Sequence, residues 1–274
     1  MAIEFADAQM DGNTMIRSVM SLSGGMDSTS LLLRLLAEGS EITCISYDYG
    51  QKHSIELVRA KDNLLYLSGM GYDIDHSVIN LKSAMSTLFS ALTDEDIDIP
   101  EGHYESEQMK QTVVPNRNSI FASILYAHAL SISISEDCDV RISLGVHSGD
   151  HVIYPDCRPE FYESLEKSFS LGNWGSGRIS FHLPYISGDK TSILQDAIIS
   201  CEKLGLNFDT VLGNTNTSYN PDEDGRSSGK SGADVERILA FHKIGRQDPI
   251  EYVDDWETIL EYALSQTYGG ELIE

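Results

Sequence analysis

The sequence predicts an α/β fold: a parallel sheet, Rossmann-like, with helices on its flanks. Two observations carry this expectation. From residue 17 onward, short apolar runs alternate with amphipathic helical stretches. The turns between them are short, so each strand must return to the sheet through a right-handed crossover, which lays the strands parallel. At 274 residues the chain can bury a full core as one α/β domain with an appended segment.

The elements follow in order. RSVMSLS (17–23) reads as the first strand, running into GGMDS, and TSLLLRLLAEG as an amphipathic helix closed by Gly39. EITCISYDY (41–49) is the next strand, SIELVRAKDNLLYLSG a helix closed by Gly69, and YDIDHSVIN a third strand. Residues 82–112 break the rhythm, since TDEDIDIPEGHYESEQ is acidic and poor in core formers, and reads either as a lid or as a solvated linker. RNSIFASILYAHALSISI resumes as a helix and DVRISLGV (139–146) as a buried strand. RPEFYESLEKSFSLG is helical with Pro159 near its start, and TSILQDAIISCEKLG is a helix capped by Thr191 and closed by Gly205. A polar loop follows residue 210, then helices over 233–244 and near 255–264. The expected division is a nucleotide-binding and catalytic unit over 1–210 and a small helical C-terminal segment over 211–274.

Charge narrows the function classes. There are 43 acids against 19 Lys and Arg, a formal net charge of −24. Such a surface repels a phosphate backbone, so no nucleic-acid partner is expected, and an anionic substrate must be met by local cations. No apolar run approaches the roughly 18 residues of a membrane span, so no membrane association is expected either. The N-terminal stretch carries acids and no basic region of a secretory signal. Cys44, Cys138, Cys157 and Cys201 are widely spaced, with neither a disulfide framework nor a C-x-x-C pair. A cytoplasmic protein with reduced thiols is expected.

The first candidate site is Ser23-Gly24-Gly25-Met26-Asp27-Ser28. It sits where a strand turns into a helix, at the carboxyl edge of the sheet, where open α/β folds place ligands. The glycines let backbone N–H groups approach an anion, and the helix N-terminus adds partial positive charge. Ser23 and Ser28 add hydroxyl donors. Asp27 would repel a phosphate unless Mg²⁺ lay between them. The same residues would also make a tight turn with an Asp cap, but Ser-Gly-Gly-x-Asp-Ser in this setting resembles the pyrophosphate loop of the ATP-pyrophosphatase (PP-loop) superfamily. That resemblance implies an adenine nucleotide alpha hydrolase-like fold and cleavage of ATP between its α and β phosphates.

Further stretches resemble one family within it, the 7-cyano-7-deazaguanine synthases (QueC-like). SYDYGQKH (46–53) is similar to their FDYGQRH, VVPNRNSIF (113–121) to VPxRNxxF, and GVHSGDHVIYPDCRPEF (145–161) to GVxxxDxSGYPDCRPEF. LPYISGDKTSI (183–193) matches a further segment at Pro184 and Lys190. The landmarks run in order from about residue 18 to 245. The resemblance implies a ligase that uses ATP to adenylate the carboxylate of a 7-carboxy-7-deazaguanine-like small molecule. Ammonia then displaces AMP, and a second ATP dehydrates the amide to a nitrile. It implies ATP and Mg²⁺ as cofactors and a homodimer. Divergent relatives in antiviral defence attach the activated deazaguanine to the N-terminal amine of a partner protein, so the nitrogen acceptor stays open between ammonia and a protein.

The implied roles fall residue by residue. Asp27, Lys190 and Arg117 are the candidate catalytic residues, and Ser23, Gly24, Gly25, Asp27, Ser28 and Lys190 the ATP-binding set, with Asp27 on Mg²⁺. Asp150, Tyr154, Asp156, Arg158, Arg117 and Asn118 are the candidate substrate contacts; the acids would accept ring N–H donors and Arg158 would meet the carboxylate. The family's Ser-Gly before Tyr is Val152-Ile153 here, a bulkier and less polar wall. His147 and His151 are four apart around Asp150, but in a loop, so they read as substrate-lining or solvent-facing rather than metal ligands. Cys157 reads as wall.

GRSSGKSGAD (225–234) looks like a second phosphate loop, but only three residues separate Gly225 from Gly229, where a Walker loop needs four. In this region the family carries four zinc-binding cysteines, in TCY and CGxCxxC. The corresponding positions here are Ser218, Ser228, Ser231 and Asp234. Neutral hydroxyls do not replace thiolates at zinc, so no zinc is expected. Without metal, 214–232 must be held by hydrogen bonds, by a partner, or not at all; its Gly, Ser, Asn and Asp favour turns or mobility, and the expectation is a mobile segment that orders on substrate or protein binding.

Overall fold

The computed structural model describes residues 16–51, 55–93, 111–147, 149, 154–218, 221, 222 and 224–268. Five parallel strands form the central sheet: β1 (Arg17–Ser21), β2 (Glu41–Asp48), β3 (Asp75–Asn80), β4 (Val140–Ser143) and β5 (Ile179–His182), in spatial order β3-β2-β1-β4-β5. The order reverses direction at β1, so the loop leaving β1 opens at the topological switch point, where the crevice for a ligand forms.

One face carries α1 (Met26–Ala37), α2 (Ile55–Gly69), α6 (Lys190–Leu204), α7 (Phe208–Gly213) and α8 (Gly232–Lys243), around a cluster that includes Met20, Leu31, Leu35, Ile193 and Phe241. Leu31, Leu32, Leu33 and Leu35 of α1 are wholly buried, each worth about 2 kcal/mol. A helix apolar over so much of its circumference can only be an inner helix. On the other face α4 (Arg117–Glu136) and α5 (Pro159–Gly172) cover Val19, Ile45 and Ile142. The short α3 (Lys82–Met85) follows β3, and α9 (Trp256–Tyr268) packs on α8 through Val235, Ile238, Ile259 and Ala263.

Several expectations need correcting. β5 is only four residues long and α7 six, too short for a periodicity to be legible, and neither was expected. The cap of α6 is Asp189, not Thr191: its side chain accepts from Ser192 N–H, and the Ser192 hydroxyl accepts in return from the Asp189 N–H. α4 is 20 residues long and apolar enough by composition to cross a membrane, contrary to the expectation that no run comes close. It packs Ala122, Leu125, Tyr126 and Ala129 inward and turns Ser123, Ala127, Ser131 and Ser135 to solvent. Small hydroxyl residues on the outer face, two of them bonding the carbonyl one turn back, make it a layer helix of this sheet.

Segment 214–232 is largely packed, with Thr215, Asn216, Ser218, Ser227 and Ser231 all buried. Of the three alternatives for holding it, its described residues show hydrogen bonds. The 82–112 loop is described only over 82–93 and 111–112.

Candidate active site

The turn after β1 owes its shape to glycine. Gly24 lies at φ +86°, and a Cβ there would stand 2.0 Å from the Glu56 carbonyl oxygen of α2. Only glycine allows the loop to lie against the first turn of α2. The two serines brace the turn: Ser23 Oγ and Ser28 Oγ are 2.9 Å apart, Gly25 N–H donates to Ser23 Oγ at 3.2 Å, and Ser28 Oγ donates to the Gly25 carbonyl at 3.2 Å.

Asp27, in the first turn of α1, meets Lys190, the first residue of α6, with Nζ donating to Oδ2 at 3.0 Å. Parallel strands deliver both helix N-termini to the same edge of the sheet, which is why residues 163 apart in sequence touch. Behind them lies buried His147, its Nε2 3.2 Å from Lys190 Nζ and 3.7 Å from Asp27 Oδ2. His147 Nδ1 accepts from Gly149 N–H at 3.1 Å. Glu236 of α8 completes the cluster, 3.8 Å from Lys190 Nζ. Burial alone would raise the Asp27 pKa, but Lys190 and His147 outweigh it and hold the carboxyl well below its usual range. Asp27 Oδ1 is buried and lacks a hydrogen-bond partner among the described residues. It is an oxygen acceptor without a donor, suited to a Mg²⁺ ion that keeps most of its other positions for water and phosphate.

A cavity of about 140 Å³ opens above this cluster, walled by Ser23, Asp27, Glu56, Arg117, Lys190 and Thr217 among others. That is below the roughly 300 Å³ lower bound of whole-ligand pockets. Tyr154, Cys157, Asn216 and Ala233 complete the lining with Gly25, Met26 and Ser28. Arg117 lies at the start of α4, after a Pro115-Asn116 turn in which Asn116 takes φ +58°. Its Nη1 donates to the Tyr49 hydroxyl at 3.3 Å. Glu56, beside it, is pushed up by burial to about 7, with the Arg117 charge pulling the other way.

The structure therefore brings Ser23, Gly25, Asp27, Ser28, Arg117, Tyr154 and Lys190 to one cavity, with Gly24 shaping the loop. Asn118, Asp156 and Arg158 are not in its lining: Asn118 Nδ2 contacts Cys157 Sγ at 3.5 Å, Asp156 lies in a 3₁₀ turn, and Arg158 is exposed at the N-cap of α5. Asp150, His151 and the Val152-Ile153 wall lie outside the described residues. His147 is buried behind the cavity rather than lining it or facing solvent. Sequence reasoning missed Glu56, Asn216, Thr217 and Glu236. Glu56 follows the SYDYGQKH stretch by three residues, and that proximity to a strand's carboxyl end is the signal that would have found it.

GRSSGKSGAD contributes only Ala233 to the cavity. The four positions matched to zinc ligands do come together, but not as a metal site. Ser218, Ser228 and Ser231 hydroxyls donate to Asp234 Oδ2 at 3.0, 3.3 and 2.8 Å. Among the described residues no group of three or more His, Cys, Asp or Glu gathers as metal ligands do. Hydroxyls aimed at a carboxylate offer zinc neither thiolate nor imidazole, so the donor set does not fit that ion.

Comparison with known proteins agrees with the sequence landmarks. The family model described as "Queuosine biosynthesis protein QueC" matches residues 17–245. Similar curated proteins include 7-cyano-7-deazaguanine synthase 1 of Colwellia psychrerythraea, 42% identical over 85% of this chain and 97% of its own length. The 7-cyano-7-deazaguanine synthase of Methanoregula boonei is 40% identical over 86% of this chain and 99% of its own. That of Alteromonas mediterranea is 42% identical over 85% and 97%.

Proposed function

This chain belongs to the QueC family of queuosine biosynthesis proteins, and on that premise we propose that it uses ATP to activate the carboxylate of a 7-carboxy-7-deazaguanine-like acid and passes the acyl group to nitrogen. The observation that carries this reading is the Asp27–Lys190 pair, at 3.0 Å, beneath a glycine loop at the sheet's switch point.

A carboxylate is a poor electrophile because oxide would have to leave. In the proposed first step the substrate carboxylate oxygen attacks the α-phosphorus and pyrophosphate departs. Lys190 and the N–H groups of the first turn of α1 meet the charge on the departing pyrophosphate. Asp27 Oδ1 would hold Mg²⁺, which supplies further neutralisation of that charge when bound. Arg117 also lines the cavity, placed to pair with substrate carboxylate or phosphate. Nitrogen then attacks the acyl carbon, a C–N bond forms, the C–O bond to AMP breaks, and the surplus proton leaves nitrogen. A nitrile needs a second activation, of the amide oxygen. In this reading 1–210 supplies the nucleotide machinery and 211–274 closes its wall through Asn216, Thr217 and Ala233.

The test is AMP release from ATP plus 7-carboxy-7-deazaguanine, with ammonia as acceptor and mass spectrometry of the product. Formation of AMP with amide or nitrile supports the reading. AMP formed with no small-molecule amide, and a mass adduct on a supplied candidate protein's N-terminus, moves the acceptor to a protein amine. No AMP under either condition overturns it. Lys190→Ala and Asp27→Ala are each expected to lower AMP formation by roughly 100-fold or more.

A further inference from the structure

Asp234 collects more hydroxyl donors than a helix cap requires. It is fully buried, in the first turn of α8, and forms a capping box with Ser231. Beyond that box, Ser227 Oγ donates to its Oδ1 at 2.6 Å, while Ser218 and Ser228 donate to Oδ2 at 3.0 and 3.3 Å. Ser231 adds its hydroxyl at 2.8 Å and its N–H at 3.3 Å. The donors come from two pieces of chain, around 218 and over 227–231. One carboxylate does the tying that a multidentate ion would do.

What it ties is the cavity wall. Asn216 N–H donates to the Gly24 carbonyl at 3.0 Å, and Asn216 Nδ2 donates to the Ser218 carbonyl at 3.0 Å. From Ser218 the connection runs to Asp234, then along α8 to Glu236, 3.8 Å from Lys190, and from Lys190 to Asp27 three residues after Gly24. The connections link the cavity wall to its glycine loop, and Asn216, Thr217, Asp27 and Lys190 along them line it.

We infer that Asp234 is a positioning residue: with Ser218, Ser227, Ser228 and Ser231 it forms a metal-free clasp that fixes the 215–218 wall and α8 against the glycine loop, and so sets the affinity for nucleotide. The inference rests on the proposed function only in naming the ligand as ATP. It makes the chain independent of zinc by its own residues, since Cys44, Cys157 and Cys201 are buried elsewhere and none of the four cysteines lies in this segment.

The experiment compares the whole wild-type chain with Asp234→Ala and the isosteric Asp234→Asn. Direct ATP binding, amide hydrogen exchange over 214–218, thermal unfolding and zinc content are read on each. Wild type should carry well under one zinc per chain and keep its melting temperature in chelator. Asp234→Ala should weaken ATP binding by the folded fraction about tenfold and expose 214–218 to exchange; Asp234→Asn should do so less. A purely structural role would lower the melting temperature while the folded fraction bound ATP as wild type, and that result overturns the inference. So does stoichiometric zinc in wild type whose removal unfolds it. Should Asp234→Ala not fold, Ser227→Ala removes one bond and reads the same exchange and affinity. The combined variant Ser218→Cys, Ser228→Cys, Ser231→Cys and Asp234→Cys is expected to bind one zinc and recover the wild-type ATP affinity in a chelator-sensitive way. If wild type binds no ATP, the functional reading falls, and exchange over 214–218 together with zinc content still decides the clasp: unchanged protection in Asp234→Ala refutes it.

Discussion

At the scale of single residues, the site separates two carboxyls by their surroundings. Asp27 has Lys190 and His147 against it and stays ionised, whereas Glu56 is raised by burial to about 7 despite Arg117. A carboxyl poised near neutrality is suited to receive the proton that the attacking nitrogen must lose. Below about pH 7 Glu56 is protonated and cannot accept; above it the carboxylate is available. Transfer to nitrogen is therefore expected to rise as pH passes through 7, over and above the ionisation of the amine itself. Glu56→Gln should remove that limb and slow transfer roughly 10- to 100-fold, more than it slows pyrophosphate–ATP exchange. Equal pH profiles for the two proteins would refute the role. Asp27 and Lys190 were legible in sequence because their motifs are local. Glu56's position after the second strand was legible, but its raised pKa was not, because the burial that causes it comes from residues distant in sequence.

At the scale of elements, two contacts decide whether the site forms. The first is the approach of the β1–α1 turn to α2. Gly24→Ala would place a methyl 2.0 Å from a carbonyl oxygen at φ +86°, and is expected to cost about 3 kcal/mol or more, measured by urea unfolding, with ATP binding lost. The second is Arg237 of α8, wholly buried and paired with Asp248 through Nε at 2.6 Å and Nη2 at 2.9 Å. Its Nη1 donates to Thr215 and Thr217 hydroxyls at 2.7 and 3.0 Å, and its Nη2 to the Leu212 carbonyl at 3.1 Å. Arg237→Ala leaves the Asp248 carboxylate buried without its cation and should cost about 3–5 kcal/mol. The same unfolding curves check it, with Arg237→Lys only partly restoring stability, since an ammonium cannot make the two-pronged contact. Nothing in the sequence around 237 announces this node. An arginine on an amphipathic helix reads as solvent-facing until the partners from 212–217 and 248 are brought to it.

At the scale of the whole molecule, the balance of 43 acids to 19 Lys and Arg makes the folded chain repel itself. Moving from low salt to about 0.5 M should screen that repulsion and raise the melting temperature by roughly 2–4 °C, about 1 kcal/mol for a chain of this size. A fall or no change on adding sodium chloride would show that attractive pairs dominate. The site answers the same field locally: Lys190 and Arg117 are the cations of the cavity lining among the described residues.

The sequence by itself determined the parallel α/β fold, the family, and the glycine loop at the sheet's switch point, because each is written in short-range patterns of strand run, glycine turn and helix start. The tertiary structure decided what those patterns could not hold. It showed the serines of GRSSGKSGAD bonded to Asp234, buried His147 behind Lys190, and placed Arg158 on the exposed N-cap of α5. The physical reason is the same in each case. A side chain's burial, charge state and hydrogen-bond partners depend on residues distant in sequence that only the packed sheet and its two helical layers bring within 3 Å.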